Sequence, residues 1–162
     1  MTQKAEARRD RSAKTAEELG PSEDYLTVMI AGQMFGIPVL QVQDVLGQQK
    51  VTRIPLAPAE VAGSLNLRGR IVTAIDVRRR LGMDPDAEKH KEMSVVVEHE
   101  NELYSLVIDD VGDVLTLYNK DFDANPATLD PVWREISMGI YRLKDRLLVV
   151  LDVPKLLNTV HL

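Results

Sequence analysis

The sequence predicts a mainly β protein made of two packed, five-stranded barrels with short helical pieces, and three features carry that expectation. The first is an internal duplication. Residues 66–81 read NLRGRIVTAIDVRRRL and residues 142–157 read RLKDRLLVVLDVPKLL, with identities at Leu67/Leu143, Arg70/Arg146, Asp76/Asp152, Val77/Val153 and Leu81/Leu157. FGIPVLQVQDVL at 35–46 likewise lines up with YSLVIDDVGDVL at 104–115. Two shared phrases in one order define a repeated unit of roughly 65 to 75 residues, and such self-similarity marks a repeated structural module. The second feature is a texture of short apolar runs bounded by turn residues. The third is that no helical pattern of 10 to 15 residues separates those runs, which disfavours a parallel sheet. One five-stranded unit of this size is marginal and leaves open edges, whereas two packed copies share a core and cover each other's edges.

Residues 1–22 stand outside the repeat. They are rich in Ala, Lys, Arg and Glu, and Leu19 is their only large apolar residue after Met1. Helix propensity without a face to bury does not hold a fold, so a disordered charged tail is expected, with Arg8, Arg9 and Arg11 as a solvated basic cluster. Residues 23–158 are expected to form one domain, with a first barrel over roughly 23–85 and a second over roughly 92–158, an intertwined arrangement being left open.

Each unit opens with a hairpin. YLTVMIAGQMFGIPV reads as two strands joined at Gly32-Gln33, and SVVVEHENELYSLVI as two joined near Asn101. PVLQVQDVL and IDDVGDVL then read as one helical turn followed by a strand, because their β-branched content outweighs a helical spacing of Val39, Val42 and Leu46. A second hairpin follows in each unit, with the polar pairs Arg68-Gly69 and Lys144-Asp145 at its tip. IVTAI and LLVVL lack polar alternation, as expected for strands covered on both faces. Asp76 and Asp152 sit where N-caps of short helical pieces belong, with Pro154 near a first helical position. Two packed barrels leave a seam between them, and a concave apolar seam is a natural docking site.

Composition excludes several functions. The 162 residues hold no cysteine, so there is no disulfide or thiolate metal site, and the formal net charge of −5 argues against a nucleic-acid binder driven by phosphate neutralisation. Aromatic residues make up only 4% of the chain, too few for a base-stacking platform. No secretory or membrane-spanning segment is legible, so a cytoplasmic protein without direct membrane insertion is expected. His90, His99 and His161 lie far apart without a second ligand at metal spacing and read as surface histidines. Asp109, Asp110 and Asp113 lack the closing Glu of a calcium loop and read as solvated turn carboxylates. Ser64, Ser94, Ser105 and Ser137 sit in no nucleophile elbow, and no Gly-rich phosphate cradle is present. No catalytic residue, metal site or cofactor is expected.

Arg68 is singled out: Gly69 permits a tight turn there, and a long guanidinium side chain can lie over apolar surface or pair with a carboxylate. The string GSLNLRGRIVTAIDVRRRLG, preceded by MFGIPVLQVQDVL and VTRIP and followed by VIDDVGDVLTL, closely resembles the CheW family of bacterial chemotaxis coupling proteins over about residues 23–158. The same module occurs in the kinase CheA and in CheV, and the lack of kinase or receiver segments here points to a free-standing adaptor. The resemblance implies two five-stranded, SH3-like β-barrels around a shared core. It implies two partners, the cytoplasmic helical tip of methyl-accepting chemoreceptors and the regulatory domain of the histidine kinase CheA. It also implies a protein that is monomeric when free and forms rings with the kinase in cytoplasmic signalling arrays. The receptor groove would draw on Val39, Val42, Asp44 and Val45, on Leu67, Arg68 and Gly69 at the hairpin tip, and on Val111 and Val114; no residue is assigned to the kinase-facing surface. The chain departs from the family pattern at Asp44, where glutamate is usual, and at Leu46-Gly47, so an ion pair from Asp44 is expected to be shorter or absent. Two other readings remain open: the same scaffold in a parallel pathway such as twitching motility or a non-motility array, and an unrelated ligand-binding β-barrel.

Overall fold

The computed structural model describes residues 16–83 and 92–158. Arg8, Arg9, Arg11, His90 and His161 lie outside the described residues. In chain order the elements are α1 (Ala16–Leu19), β1 (Ser22–Ile30), β2 (Gln33–Pro38), a 3-10 turn (Val39–Gln41), β3 (Val42–Leu46), β4 (Val61–Leu67), β5 (Arg70–Asp76), α2 (Val77–Arg80), β6 (Met93–His99), β7 (Glu102–Ile108) and β8 (Asp110–Tyr118). A second 3-10 turn (Asn119–Asp121), β9 (Phe122–Asp123), α3 (Pro131–Glu135), β10 (Ser137–Arg142), β11 (Leu147–Leu151) and α4 (Val153–Asn158) complete it. The protein is mainly β, as expected.

Local chemistry explains the elements. Three hairpins turn through two residues of positive φ: Ala31 (52°) and Gly32 (82°), Arg68 (53°) and Gly69 (83°), Glu100 (51°) and Asn101 (66°). Such turns match the twist of the strands they join. The first lies one residue earlier than Gly32-Gln33. Asp76 Oδ1 accepts from Arg79 N at 3.2 Å and Asp152 Oδ1 from Lys155 N at 3.1 Å, so both aspartates cap the helices they precede. A 3-10 turn precedes β3 as expected, whereas the second copy passes through Asp109 straight into β8. The expected tail is too long: Ala16–Leu19 forms a helical turn, Pro21 O accepts from Asn119 N at 2.9 Å, and Ser22 pairs with Tyr118.

Tertiary pairing departs from a simple split of the chain into consecutive halves. One sheet runs β8-β1-β2-β11-β10-β9 and the other β3-β6-β7-β5-β4. Each barrel therefore takes its opening hairpin from the other repeat, and the expected barrel limits of 23–85 and 92–158 do not hold. The exchanged hairpins dock in parallel on the closing strands, Val149 against Phe35 in the larger sheet and Thr73 against Tyr104 in the smaller. Closure is also equivalent. The stretch 110–123 pairs with β1 at one end and β10 at the other, and the stretch after β3 bridges back through Thr52 to Ser64 of β4. Gly63 and Gly139 occupy matching bulges there, and a Cβ on either would run into a backbone carbonyl, Thr52 O or Asp123 O.

The apolar interior falls into three clusters. The main one joins the barrels, with Ile30, Phe35, Ile37, Ile75, Val95, Leu106, Ile140 and Leu151 fully buried in it. Each such side chain contributes roughly 1.5–3 kcal/mol by leaving water. Tyr25, Tyr141, Leu148 and Val150 fill the larger barrel, and Leu65, Val72 and Ala74 the smaller. LLVVL is thus covered on both faces. IVTAI is not: Ile71 is 76% exposed, because β5 pairs with β7 only from Val72 onward.

Candidate docking site

β3 and the turn before it present the first group of candidate residues. Pro38 leads into the turn, and Val42 N closes it on Val39 O. Val39 and Val42 are half-buried and pack on the shared core. A bulge between Val42 and Asp44 follows, and Val45 is left 37% exposed. The β4–β5 tip supplies the second group. Its two-residue turn holds Arg68 in a left-handed backbone that costs a non-glycine residue about 1 kcal/mol, and Asn66 Oδ1 accepts from Gly69 N at 3.0 Å to brace it. Leu67 packs on the smaller barrel's own cluster rather than on the shared core. β8 supplies the third group, Val111 packing on the shared core and Val114 lying 40% exposed.

The structure brings two of these groups into direct contact. Arg68 Nη2 lies 3.0 Å from Asp44 Oδ2, with the arginine side chain 77% exposed and the carboxylate three-quarters covered. The ion pair is present despite the shorter aspartate, so of the two expectations for this position its absence does not hold. Asp44 Oδ1 meanwhile accepts from Val45 N at 2.9 Å. Because the barrel is closed, β3 and the β4–β5 tip meet although they belong to opposite edges of the sheet order. No hydrogen bond or ion pair links the tip to β8 among the described residues; Val111 joins the group through the shared core alone. Depressions of about 450 Å³ beside Tyr118 and Tyr141, and about 350 Å³ beside Arg53 and Arg79, include none of the candidate residues.

One pair escaped the sequence reading. Asp109 is not a solvated turn carboxylate: Arg78 Nε reaches its Oδ1 at 2.8 Å and Arg78 Nη2 its Oδ2 at 2.6 Å, and Ala31 N donates to Oδ2 at 2.7 Å. Both side chains are nearly buried. The signal available was position, since Asp109 directly follows the covered strand LYSLVI. His99 Nε2 lies 3.0 Å from Asn158 Oδ1 and 3.2 Å from Glu100 Oε2, with its side chain mostly covered rather than plainly at the surface. The Tyr104 phenol is raised above its ordinary range by burial first and then by Glu102, whose carboxylate accepts from it at 3.1 Å.

A family model described as the CheW-like domain matches residues 24–161. The chain is 29% identical over 137 residues to the chemotaxis protein CheW of Klebsiella aerogenes, covering 85% of this chain and 82% of that one. It is 26% identical over 145 residues to the chemotaxis protein CheW of Bacillus subtilis, covering 87% and 90%. Among solved structures, the scaffolding protein TtCheW of Thermoanaerobacter tengcongensis superposes with a TM-score of 0.72 at 22% identity, over 81% of this chain and 89% of that one. That likeness is one of fold.

Proposed function

This chain belongs to the CheW-like domain family, and on that premise we propose that it is a non-enzymatic adaptor of chemotaxis arrays that couples methyl-accepting chemoreceptors to the histidine kinase CheA. The observation that carries the reading is the Arg68–Asp44 pair, an exposed charged tip tethered at 3.0 Å beside half-buried valines. A tether of this kind holds a long side chain in place, so less side-chain freedom is lost when a partner docks. Val39, Val42, Val45, Val111 and Val114 offer apolar anchors of the size that a helix lying in a groove requires, with Asp44, Leu67, Arg68 and Gly69 at one rim. The kinase would dock elsewhere on the barrels, leaving the receptor surface open, and the complex would sit on the cytoplasmic side. No helix among the described residues is long and apolar enough to cross a membrane.

The test is a titration of the purified chain with a chemoreceptor-tip fragment and, separately, with the regulatory domain of CheA, followed by both together. Binding of each and a three-component complex are expected. Absence of receptor binding at about 1 mM, where an affinity is worth only about 4 kcal/mol, would sink the reading. A kinase or receptor from a parallel pathway binding in preference would move the same scaffold to that pathway.

A further inference from the structure

β8 carries Val111 and Val114, and both depend on its register. Val28 faces Val111 and Leu26 faces Val114, with a bulge between, where Thr27 Oγ1 donates to Asp113 O at 2.7 Å. Side chains alternate with a period of two along a strand, so a slip of one residue on β1 would turn Val111 away from the core and Val114 toward it. The bulge leaves the ladder locally disrupted at that point. Something must hold the strand's entry. Asp109 is the one residue between β7 of the smaller barrel and β8 of the larger, and its backbone N donates to Met29 O at 3.1 Å. Its carboxylate is gripped from both sides, by Arg78 of the smaller barrel through two contacts and by the Ala31 amide of the larger barrel's hairpin turn.

We propose that the Arg78–Asp109 pair is a positioning element for docking: it sets the register with which β8 enters the larger barrel and thereby the facing of Val111 and Val114. Burial of one face disfavours a slip but fixes no single residue at the entry of β8, whereas a forked guanidinium–carboxylate contact has one geometry. The inference rests on the docking reading for its consequence, and its structural half stands apart from it.

Two variants test it. Asp109→Asn keeps an acceptor for the Ala31 amide and removes the charge facing Arg78; Arg78→Lys keeps a charge and removes the fork. In both, the backbone amide resonances of Val111 and Val114 should shift or double while those of Val95 and Val97 stay in place. Affinity for the receptor-tip fragment should fall roughly five- to 150-fold, the range of typical couplings between linked sites. A control, Ile140→Val, removes one buried methyl from the shared core while keeping both members of the Arg78–Asp109 pair, and should leave that affinity within about twofold. Unmoved β8 resonances with parental affinity overturn the proposal. Equal loss of binding in the Ile140→Val control overturns it as well, because stability alone would then explain the effect, and so does failure of both pair variants to fold. If the parent chain itself does not bind the fragment, the docking reading fails, and the β8 resonances still decide whether the pair sets the register.

Discussion

The Arg68 tip of the smaller barrel and the Lys144 tip of the larger occupy equivalent places in the duplication, yet only one is tethered. Asp44 and Asp113 are likewise equivalent, each lying two residues after Val42 or Val111. Arg68 meets Asp44 at 3.0 Å, whereas among the described residues no ion pair joins Lys144 to Asp113. The turns account for the difference. Arg68-Gly69 reverses the chain in two residues, while the other tip needs the wider loop Leu143–Arg146, closed by Leu143 N on Arg146 O at 2.8 Å. A tight turn aims its side chain; a wider one leaves it in solvent. Duplication thus produced two similar scaffolds, and turn length separated a candidate docking tip from a plain one.

The interiors differ too. The larger barrel is filled by Tyr25, Tyr141, Leu148 and Val150, the smaller by Leu65, Val72 and Ala74. Leu148→Ala should therefore destabilise by roughly 2–5 kcal/mol and Val72→Ala by roughly half of that, read from denaturant midpoints at constant slope. Equal losses would mean that the two fillings are equally plastic. Gly63→Ala and Gly139→Ala probe the matching closures. Both residues have φ near 150° and a carbonyl where the Cβ would lie, so each substitution should cost roughly 2–4 kcal/mol. A silent change at one of them would break the equivalence of the barrels at that point.

At the tips the effect should appear in binding. Arg68→Ala should weaken receptor-tip binding by about 1–3 kcal/mol while moving stability by under about 0.5 kcal/mol, and Lys144→Ala should do neither. Val42→Ala should cost about 1 kcal/mol in binding with some loss of stability, because its side chain also packs on the core. Paired titrations and melting curves of the three variants check this. If Arg68→Ala melts far lower and binds normally, Arg68 is a structural residue. The smallest effect concerns pH. Burial, and then hydrogen bonding with Tyr141, raises the Tyr25 phenol well above its ordinary range, so the folded state holds its proton more tightly than the unfolded chain does. Tyr25 thus stabilises fully below about pH 10, and that contribution is lost as pH rises beyond it. Tyr25→Phe should flatten the fall of the denaturant midpoint between about pH 9 and 11; an unchanged slope would assign the fall to other groups.

What the sequence determined by itself was local. The hairpins follow from Gly32, Gly69 and Asn101, tolerant of positive φ, between strand-forming runs, the helix starts from Asp76 and Asp152, and the duplication from two repeated phrases. These depend on a few neighbouring residues, so they are legible in one dimension. Ile71 shows the limit, since its exposure turned on where β7 stops pairing with β5. The exchange of hairpins, the burial of Asp109 against Arg78 and the contact of Asp44 with Arg68 were decided only by the tertiary structure. In an exchange of equivalent hairpins the apolar pattern is the same whichever barrel receives them, so periodicity cannot distinguish the two arrangements. A carboxylate, likewise, reads as solvated until the fold places a guanidinium from 31 residues away against it.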